Sequence, residues 1–583
     1  MAALGNVGQW ARLAVSRYRG PSRWPKLVAL CIGLNVVEAG LVAGLDHGSR
    51  PYLAPQASAI APFGVFSDLR WVSVYHDSMF ALAAELLAML VVRGTLTAIS
   101  VYLAWPENLR RPPAKRLVLR GVLATALATI LLSPSVAVLF SLAFVPVSWL
   151  FFAAVPTALL VAFILHPAAV SGDWWQRLVA PRAVGWVALA FVVLSLASAV
   201  MAAVPVALWP IVAAISGLFN AWSWVGLVRA VADRRPVHRL VPVAAIAALA
   251  MIGVVGGGTA LGFNLAKKAT ASPLKSDLLA PATPRARAAV LVVSGYGSIW
   301  EGQSVHPFPG DFVEERFSYN GLGPTGEPLP YAGADTAKSV FKLDRMLLAQ
   351  VASLHAQTGL PVDVVAESEG ALVAKTALLA SPSPWVAMLV LASPLEDPGR
   401  VWYPTTGNQG WGIASSDVME LISGAFQGVA PINLSPDNPL FVSLDQQAPA
   451  IGKAMSCPIP GIRQFALLPL ADATVTPAAE TLSFPSVVLP AFHGGLLQNP
   501  SGERVVSRVL TDHPVTSDRL LVLAEEVISD ASSAWQVPSL VASDYPGPAG
   551  RPTAGAPANC NQVATELRTV VSLLPSRGGP EVH

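Results

Sequence analysis

The stretch PVDVVAESEG, residues 361–370, decides how the second half of this chain folds. Its first six residues form a short apolar run rich in Val, which predicts a buried β-strand. The run leads directly into AESEG, and an apolar helical stretch follows over about residues 371–380. A serine on a sharp strand-to-helix turn needs small neighbours two positions away on each side. Ala366 and Gly370 stand at those positions, so we expect Ser368 to lie on such a turn.

Further strands flank this unit along the chain. Short apolar runs alternate with amphipathic stretches, a pattern that predicts an α/β domain with a mainly parallel sheet. A Pro-rich linker over residues 266–287 precedes the domain, which we place at 288–544. The expected strands are 288–294, 316–319, 361–366, 386–392, 464–470 and 486–490, with a helix over about 335–357.

Two polar residues follow the last two of these strands. Asp472 comes two residues after strand 464–470, and His493 comes three residues after strand 486–490. The order serine, acid, histidine is the one that strand–turn–helix serine hydrolases use. Asp397 and Asp445 also lie between Ser368 and His493 and remain alternatives for the acid. The competing histidines are His306, His355, His513 and His583.

The strand–AESEG–helix unit resembles the nucleophile elbow of the α/β-hydrolase superfamily, normally G-x-S-x-G, with Ala366 at the first glycine position. The resemblance covers about residues 288–530 and implies a catalytic triad. Ser368 would be the nucleophile, His493 its base, and Asp472 the residue that orients the imidazole. The backbone N–H groups of Glu369 and Tyr296 would bind the oxyanion. No metal or organic cofactor is implied. The alternative for Ser368 is an ordinary helix N-cap.

A long insertion separates the fourth predicted strand from the Asp472 strand. Residues 396–460 contain Trp402, Trp411 and Phe426 and resemble a hydrolase cap over an apolar substrate pocket. Cys457 closes this insertion, and Cys560 lies in a Pro/Gly-rich tail, 545–583, that ends in a predicted helix over 561–574. In an extracytoplasmic location the two can form a disulfide. The aromatic residues favour acyl or other apolar substrates, although they also serve as structural filling.

The first half of the chain is a membrane domain by composition. Of 583 residues, 53% are apolar and only 13% are charged, and the mean hydropathy is +0.53. The net charge of +2 gives no basic field for nucleic acid. A membrane span needs roughly 20 apolar residues. Residues 1–265 hold about seven such runs, with a break at 133–135: 27–46, 78–104, 119–139, 143–165, 184–204, 206–228 and 240–264.

The basic residues between these runs predict an orientation. Arg and Lys cluster before the first run and after the second, fourth and sixth, whereas the one long loop on the other side carries only Arg50 and Arg70. By the positive-inside rule the N-terminus is cytoplasmic. Seven spans then place the C-terminal domain outside the plasma membrane.

Three ionisable residues lie inside the predicted spans. Glu38 and Glu85 fall about eight residues, roughly 12 Å, below the outer surface, and Arg93 lies deeper. Such groups usually face partners. They predict either a polar site open to the outside or an ion pair that holds the first two spans together.

These features favour an extracytoplasmic, membrane-embedded serine hydrolase that acts on acyl esters, as a lipase, esterase or acyltransferase. Its substrate would be a lipid or another acyl ester, and the spans would contact membrane lipids. The alternative is a non-catalytic envelope assembly or lipid-transport protein that uses a hydrolase-like domain for binding.

Overall fold

The structure of the chain is a computed structural model that contains an N-terminal helical half and a C-terminal half built on a β-sheet. Gaps separate the segments of the chain that it describes. These segments are residues 23–45, 56–141, 168–171, 180–233, 287–303, 308, 312–395, 403–426, 433–446, 448–471, 482–494, 496–497, 499–533, 535–538 and 559–573.

Within the described part of the N-terminal half, five helices are long and apolar enough to cross a membrane. They coincide with the first, second, third, fifth and sixth predicted spans. The third helix continues through residues 133–135, where the sequence allowed a break. The predicted spans at 143–165 and 240–264 lie outside the described residues. The five helices are α1 (Trp24–Leu45), α3 (Met79–Ala104), α4 (Ala114–Ser141), α5 (Pro181–Ala203) and α6 (Trp209–Ala232).

A further helix, α2 (Ala61–Val74), lies where the sequence analysis expected only a loop. It packs against α3 and α4, and ten of its 14 residues are buried, Arg70 included. Arg70, which the sequence analysis placed in the loop between two spans, therefore lies in a buried helix within that connection. The arginine avoids solvent because its guanidinium donates to the Gln536 carbonyl (2.5 Å) and to the Ser67 hydroxyl (3.2 Å).

The C-terminal half contains one six-stranded sheet in which all strands are parallel, in the order β2-β1-β3-β4-β5-β6. The predicted α/β organisation with a parallel sheet is confirmed. Apolar side chains from both faces of the sheet are buried against helices. The strands are β1 (Ala288–Val293), β2 (Phe312–Arg316), β3 (Val362–Glu367), β4 (Val386–Ala392), β5 (Arg463–Ala471) and β6 (Ser486–Phe492).

The second strand begins and ends earlier than predicted. The sequence analysis placed it at 316–319, but β2 ends at Arg316. Phe317 and Tyr319 are fully buried beyond the end of the strand, and Tyr319 donates to the Ser294 carbonyl. Their apolar character therefore reflects burial in the core and not strand structure.

The remaining helices cover the sheet and fill the predicted insertion. A short 3-10 helix, Gly333–Ala337, precedes the helix predicted at 335–357. The insertion at 396–460 contains three helices, which we call the cap helices. The α-helices are α7 (Val340–Thr358), α8 (Glu369–Ala380), the cap helices α9 (Ile413–Phe426), α10 (Pro439–Gln446) and α11 (Ala448–Ala454), then α12 (Pro500–Leu510), α13 (Arg519–Ser533) and α14 (Cys560–Leu573).

The predicted disulfide is confirmed. Cys457, after the last cap helix, bonds to Cys560, the first residue of α14, across 103 residues of sequence. The bond fixes α14 beside α8 and α11. Beside the disulfide, Lys375 of α8 donates to the Cys457 carbonyl. Burial lowers the pKa of this lysine to about 7.

Replacing Cys560 with Ala should lower the free energy of unfolding by about 2–4 kcal/mol, because the unfolded chain regains the entropy of a long loop. Thermal unfolding in detergent under non-reducing conditions measures this. Cys31→Ala is the control, since Cys31 is a buried free thiol. Equal melting temperatures for Cys560→Ala and wild type would contradict a stabilising role for the bond.

Candidate functional site

Ser368 lies on a strained turn between β3 and α8. Its backbone has φ 58° and ψ −121°, a positive-φ conformation that a residue with a side chain rarely adopts. Its N–H donates to the Ala392 carbonyl of the neighbouring strand (2.9 Å), and its carbonyl accepts the Ala371 N–H (3.0 Å). These bonds hold the strain in place. The side chain makes no N-cap hydrogen bond to α8, which argues against an N-cap role for the hydroxyl.

Small residues make room for this turn. A Cβ on Gly370 would lie 2.6 Å from the Ser294 carbonyl oxygen, and a Cβ on Gly295 would lie 2.9 Å from the Ser368 Cβ. The loop after β1 therefore packs directly on the serine. Ala366, the residue that replaces the first glycine of the motif, fits because it is fully buried in β3 with only a methyl group to accommodate.

His493 meets the serine from the end of β6. Its Nε2 lies 2.8 Å from the Ser368 Oγ, within hydrogen-bond distance, although the two residues are 125 positions apart. Both side chains lie at the carboxyl ends of their parallel strands and therefore at one edge of the sheet. The histidine can take the hydroxyl proton if its Nε2 is unprotonated.

The third predicted member of the triad, Asp472, lies outside the described residues, as does Asp397. The other alternative, Asp445, is buried in cap helix α10, where it accepts the Tyr403 N–H (3.0 Å). The competing histidines His355 and His513 contact the Leu360 carbonyl and the Thr511 hydroxyl, respectively. His306 and His583 lie outside the described residues.

Glu369, directly after the serine, is the first residue of α8. Its N–H precedes the first intrahelical hydrogen bond, so α8 supplies it no acceptor. The carboxyl group is 1% exposed, and among the described residues neither of its oxygens has a hydrogen-bond partner. Burial raises the pKa of Glu369 well above its usual range. Burial thus disfavours a negative charge on this side chain, beside the N–H that is the candidate oxyanion donor.

The loop after β1 carries the second candidate donor, Tyr296. Within the described part of the chain its N–H makes no hydrogen bond, whereas the next N–H, that of Gly297, donates to Thr336 Oγ1 (2.8 Å). Ser294 stands where superfamily members often have histidine. Its hydroxyl accepts from Arg316 and its carbonyl from Tyr319, so the loop is held at both ends.

The side chain of Tyr296 has a role that the sequence analysis missed. Its hydroxyl donates to the Asn433 carbonyl (2.5 Å) and accepts from the Asn438 amide (2.7 Å). Burial raises the pKa of this phenol above its usual range. The neutral hydroxyl links the loop beside Ser368 to the segment between cap helices α9 and α10.

Glu367, before the serine, was also missed. Its carboxylate accepts the Leu496 N–H (3.2 Å), three residues after His493, and so connects the end of β3 to the histidine loop. Burial raises the pKa of Glu367, and the nearby His493 opposes that rise. Glu367 occupies the second position of AESEG, which the motif leaves unspecified, so no sequence signal marked it.

The predicted intramembrane residues hold a buried turn at residues 56–60, which we call the polar turn. It lies level with the middle of α1 and α6. The Ala57 N–H donates to Glu38 Oε2 (2.6 Å), and the Ala57 carbonyl accepts from Arg93 (2.6 Å). The next residue of the turn, Ser58, forms hydrogen bonds with the side chains of Asn35, Asn220 and Trp224.

Arg93 does not pair with either predicted glutamate. It forms a two-pronged ion pair with Asp68 of α2, at 2.5 and 2.8 Å. Glu85 lies more than two helical turns from Arg93 along α3, is half-buried and takes no part in the polar turn. The structure thus brings Glu38 and Arg93 to one place, around Ala57, and leaves Glu85 apart.

No protein-family model matches this chain, and no curated protein matches it either. The chemistry of the site therefore rests on its own side chains. Among the described residues, no three His, Cys, Asp or Glu side chains are grouped as metal ligands would be.

Gly370→Ala should disrupt the Ser368 turn, because its Cβ would press on the rigid Ser294 carbonyl. Overpacking of this kind costs about 1–3 kcal/mol. We expect a lower melting temperature together with loss of the Ser368–His493 contact. Gly424→Ala on α9 is the control, since nothing lies within 4 Å of its Cβ position. A Gly370→Ala protein as stable as the control would show that the turn does not need glycine there.

Arg93→Gln should destabilise the N-terminal half strongly, since it leaves Asp68 as a charge without its partner. Such a loss costs about 3–5 kcal/mol when both charges are buried, and we expect less here because the Asp68 side chain is 31% exposed. Thermal unfolding followed by size-exclusion chromatography in detergent measures the loss. Glu85→Gln is the matched control on the same helix and should behave like wild type. Equal effects of the two substitutions would contradict the importance of the polar turn.

Proposed function

We propose that this protein is a membrane-embedded serine hydrolase of the α/β-hydrolase type that acts on acyl esters. The observation that carries the proposal is the 2.8 Å contact between Ser368 Oγ and His493 Nε2, made by a serine on a positive-φ turn. A strained backbone at a strand-to-helix turn is costly and persists where the strain serves function. An ordinary N-cap serine would adopt β-region dihedrals and bond to the helix.

The reaction follows from the positions of these groups. Ser368 Oγ attacks the ester carbonyl carbon while its proton passes to His493 Nε2. The carbonyl oxygen becomes an oxyanion, for which the N–H groups of Glu369 and Tyr296 are the proposed donors. When the carbon–oxygen bond to the alcohol breaks, His493 returns the proton to the departing oxygen. Water then releases the acid from the acyl-enzyme, or a second alcohol accepts the acyl group.

Asp472 is the proposed partner of the other imidazole nitrogen. It directly follows β5, which ends at Ala471, and β5 is the neighbour of β6 in the sheet. Ala471, the last residue of β5, pairs with Phe492, the residue before His493. An acid at that place would orient the ring and stabilise its cation.

The location is part of the proposal. The basic residues predict a cytoplasmic N-terminus, and seven spans would put the sheet-bearing half on the opposite side of the plasma membrane. The disulfide Cys457–Cys560 supports an oxidising compartment. A non-catalytic assembly or transport protein remains the alternative, and it would require neither the strained serine nor its histidine.

Ser368→Ala should abolish both fluorophosphonate labelling and ester hydrolysis, by at least ~10³-fold in kcat. The measurement uses proteoliposomes that contain the full chain, with a short-chain p-nitrophenyl ester as substrate. His493→Gln should also lose labelling, since the serine would lack its base. Ser393→Ala is the control, because Ser393 is a second buried serine with positive φ at the end of the adjacent strand. Labelling that survives in Ser368→Ala, or a folded wild type that is never labelled, would overturn the proposal.

A further inference from the structure

Helix α13 carries an exposed apolar stripe. Leu520, Leu523 and Val527 are 76%, 56% and 41% exposed and occupy positions i, i+3 and i+7 of one helix face. Arg519 and Glu526 flank the stripe on one side of the helix. A row of large apolar side chains in this arrangement marks a surface that contacts something other than water.

The residues after α13 insert between helices of the N-terminal half. Trp535 is 2% exposed, its indole donates to the Ser195 hydroxyl of α5 (2.8 Å), and its ring contacts Phe63, Phe66 and Phe191. Ser195 and Phe191 both lie within the apolar window of α5, Pro181–Met201. The end of the sheet-bearing half is thus fixed inside a candidate membrane span.

Helix α13 therefore runs alongside α5 and reaches furthest into the span at its C-terminal end. Asp530 lies beside Ser198, with 3.5 Å between the serine hydroxyl and the aspartate carbonyl oxygen. Val527 and Leu523 precede Asp530 by about 5 and 10 Å of helix. On α5, the neighbouring positions Leu196 and Val200 are each 47% exposed. Helix α13 thus carries its exposed apolar stripe beside a candidate membrane span that itself exposes apolar side chains.

The other contacts of α13 join this surface to the candidate catalytic half. The helix packs on β5 and β6, and Ser517 just before it donates to the Ser486 carbonyl of β6 (3.0 Å). His493 follows the carboxyl end of β6. The stripe and the histidine are therefore attached to the same strand.

The cap rests on the membrane helices as well. The N–H of Ala414, in cap helix α9, donates to His76 Nε2 (3.0 Å), and the Ser415 hydroxyl donates to the Ser73 carbonyl at the end of α2 (2.7 Å). Tyr403, before α9, donates to the Phe140 carbonyl of α4 (2.8 Å). The edge of the sheet that carries Ser368 thus faces the membrane helices through the cap.

We propose that Leu520, Leu523 and Val527 are immersed among the acyl chains of the adjacent membrane leaflet, and that Ser368 takes its ester from lipids in that leaflet. This rests on the proposed function and adds the substrate class, a long-chain ester that remains in the bilayer while it is cleaved. The charged flank, Arg519 and Glu526, faces the headgroups and water. A bound second protein is the other conceivable occupant, and the tests below separate it from lipid.

The first test locates the stripe without reference to activity. A nitroxide is attached to Leu523→Cys and to Val527→Cys, in a Cys31→Ala background that keeps the Cys457–Cys560 bond. The protein is reconstituted alone into phosphatidylcholine–phosphatidylglycerol vesicles. Oxygen, which concentrates in hydrocarbon, and a nickel chelate, which stays in water, compete to relax the spin. Glu566→Cys on the exposed face of α14 is the control.

We expect the ratio of oxygen to nickel accessibility to be about tenfold higher at positions 523 and 527 than at 566, because the bilayer core excludes the charged chelate. Ratios at 523 and 527 equal to that at 566 would overturn the proposal. So would low accessibility to both reagents, which would mean that protein covers the stripe. This outcome does not depend on whether Ser368 is catalytic.

The second test asks whether the stripe selects lipid-borne esters. The triple variant Leu520→Gln, Leu523→Gln, Val527→Gln is compared with Leu520→Met, Leu523→Met, Val527→Ile, which keeps the surface apolar. The readout is the ratio of two rates, one for a long-chain ester embedded in the vesicles and one for a soluble short-chain ester.

We expect this ratio to fall about tenfold in the Gln variant and to stay near the wild-type value in the apolar variant, since lost apolar burial weakens only the membrane-bound encounter. An unchanged ratio in the Gln variant would overturn the proposal, as would an equal fall in both rates. A wild type that cleaves neither ester fails the proposed function instead, and the spin-label measurement still decides the surface.

Discussion

The positive-φ backbone of Ser368 is the constraint on which the sheet-bearing half depends. A strained turn must be held in place by its neighbours, and each neighbour of Ser368 makes an identifiable contribution to the turn. Gly295 and Gly370 leave the space, β4 accepts the serine N–H, and α8 begins immediately after the turn. The parallel sheet then brings His493 to the hydroxyl from two strands beyond β4. Burial at this edge of the sheet fixes one hydroxyl against one imidazole.

The same edge of the sheet is connected to the membrane half through a chain of polar contacts. Tyr296, beside the serine, binds Asn433, whose amide oxygen accepts the hydroxyl of Ser423 in α9. Helix α9 begins against His76, where the imidazole accepts the Ala414 N–H and its other nitrogen contacts the Val72 carbonyl. A neutral histidine has one donor nitrogen and one acceptor nitrogen, and this arrangement uses both. Burial lowers the pKa of His76, which also favours the neutral form. The cap is thus positioned by contacts with the Ser368 edge of the sheet on one side and with the membrane half on the other.

The sequence predicted the strands in their order along the chain and the pairing of Ser368 with His493, because short apolar runs and the turn residues between them are local signals. It did not predict α2, since a helix that buries Arg70 among apolar neighbours lacks the pattern of either a span or a surface helix. Nor did it predict the polar turn. Glu38, Glu85 and Arg93 were expected to form a polar site or an ion pair, but Glu38 and Arg93 meet at the backbone of Ala57, and the ion pair of Arg93 is with Asp68. Side chains that satisfy a buried backbone leave no spacing rule in the sequence.

The position of Trp535 has a consequence for how the two halves of the molecule can be separated. A break in the linker over 266–287 removes the covalent connection, but the indole would still lie between Phe63, Phe66 and Phe191, and Arg70 would still hold the Gln536 carbonyl. These contacts would keep the two halves bound to each other as a two-chain complex. Evolution or proteolysis could therefore divide this chain into two polypeptides without releasing the sheet-bearing half into solution.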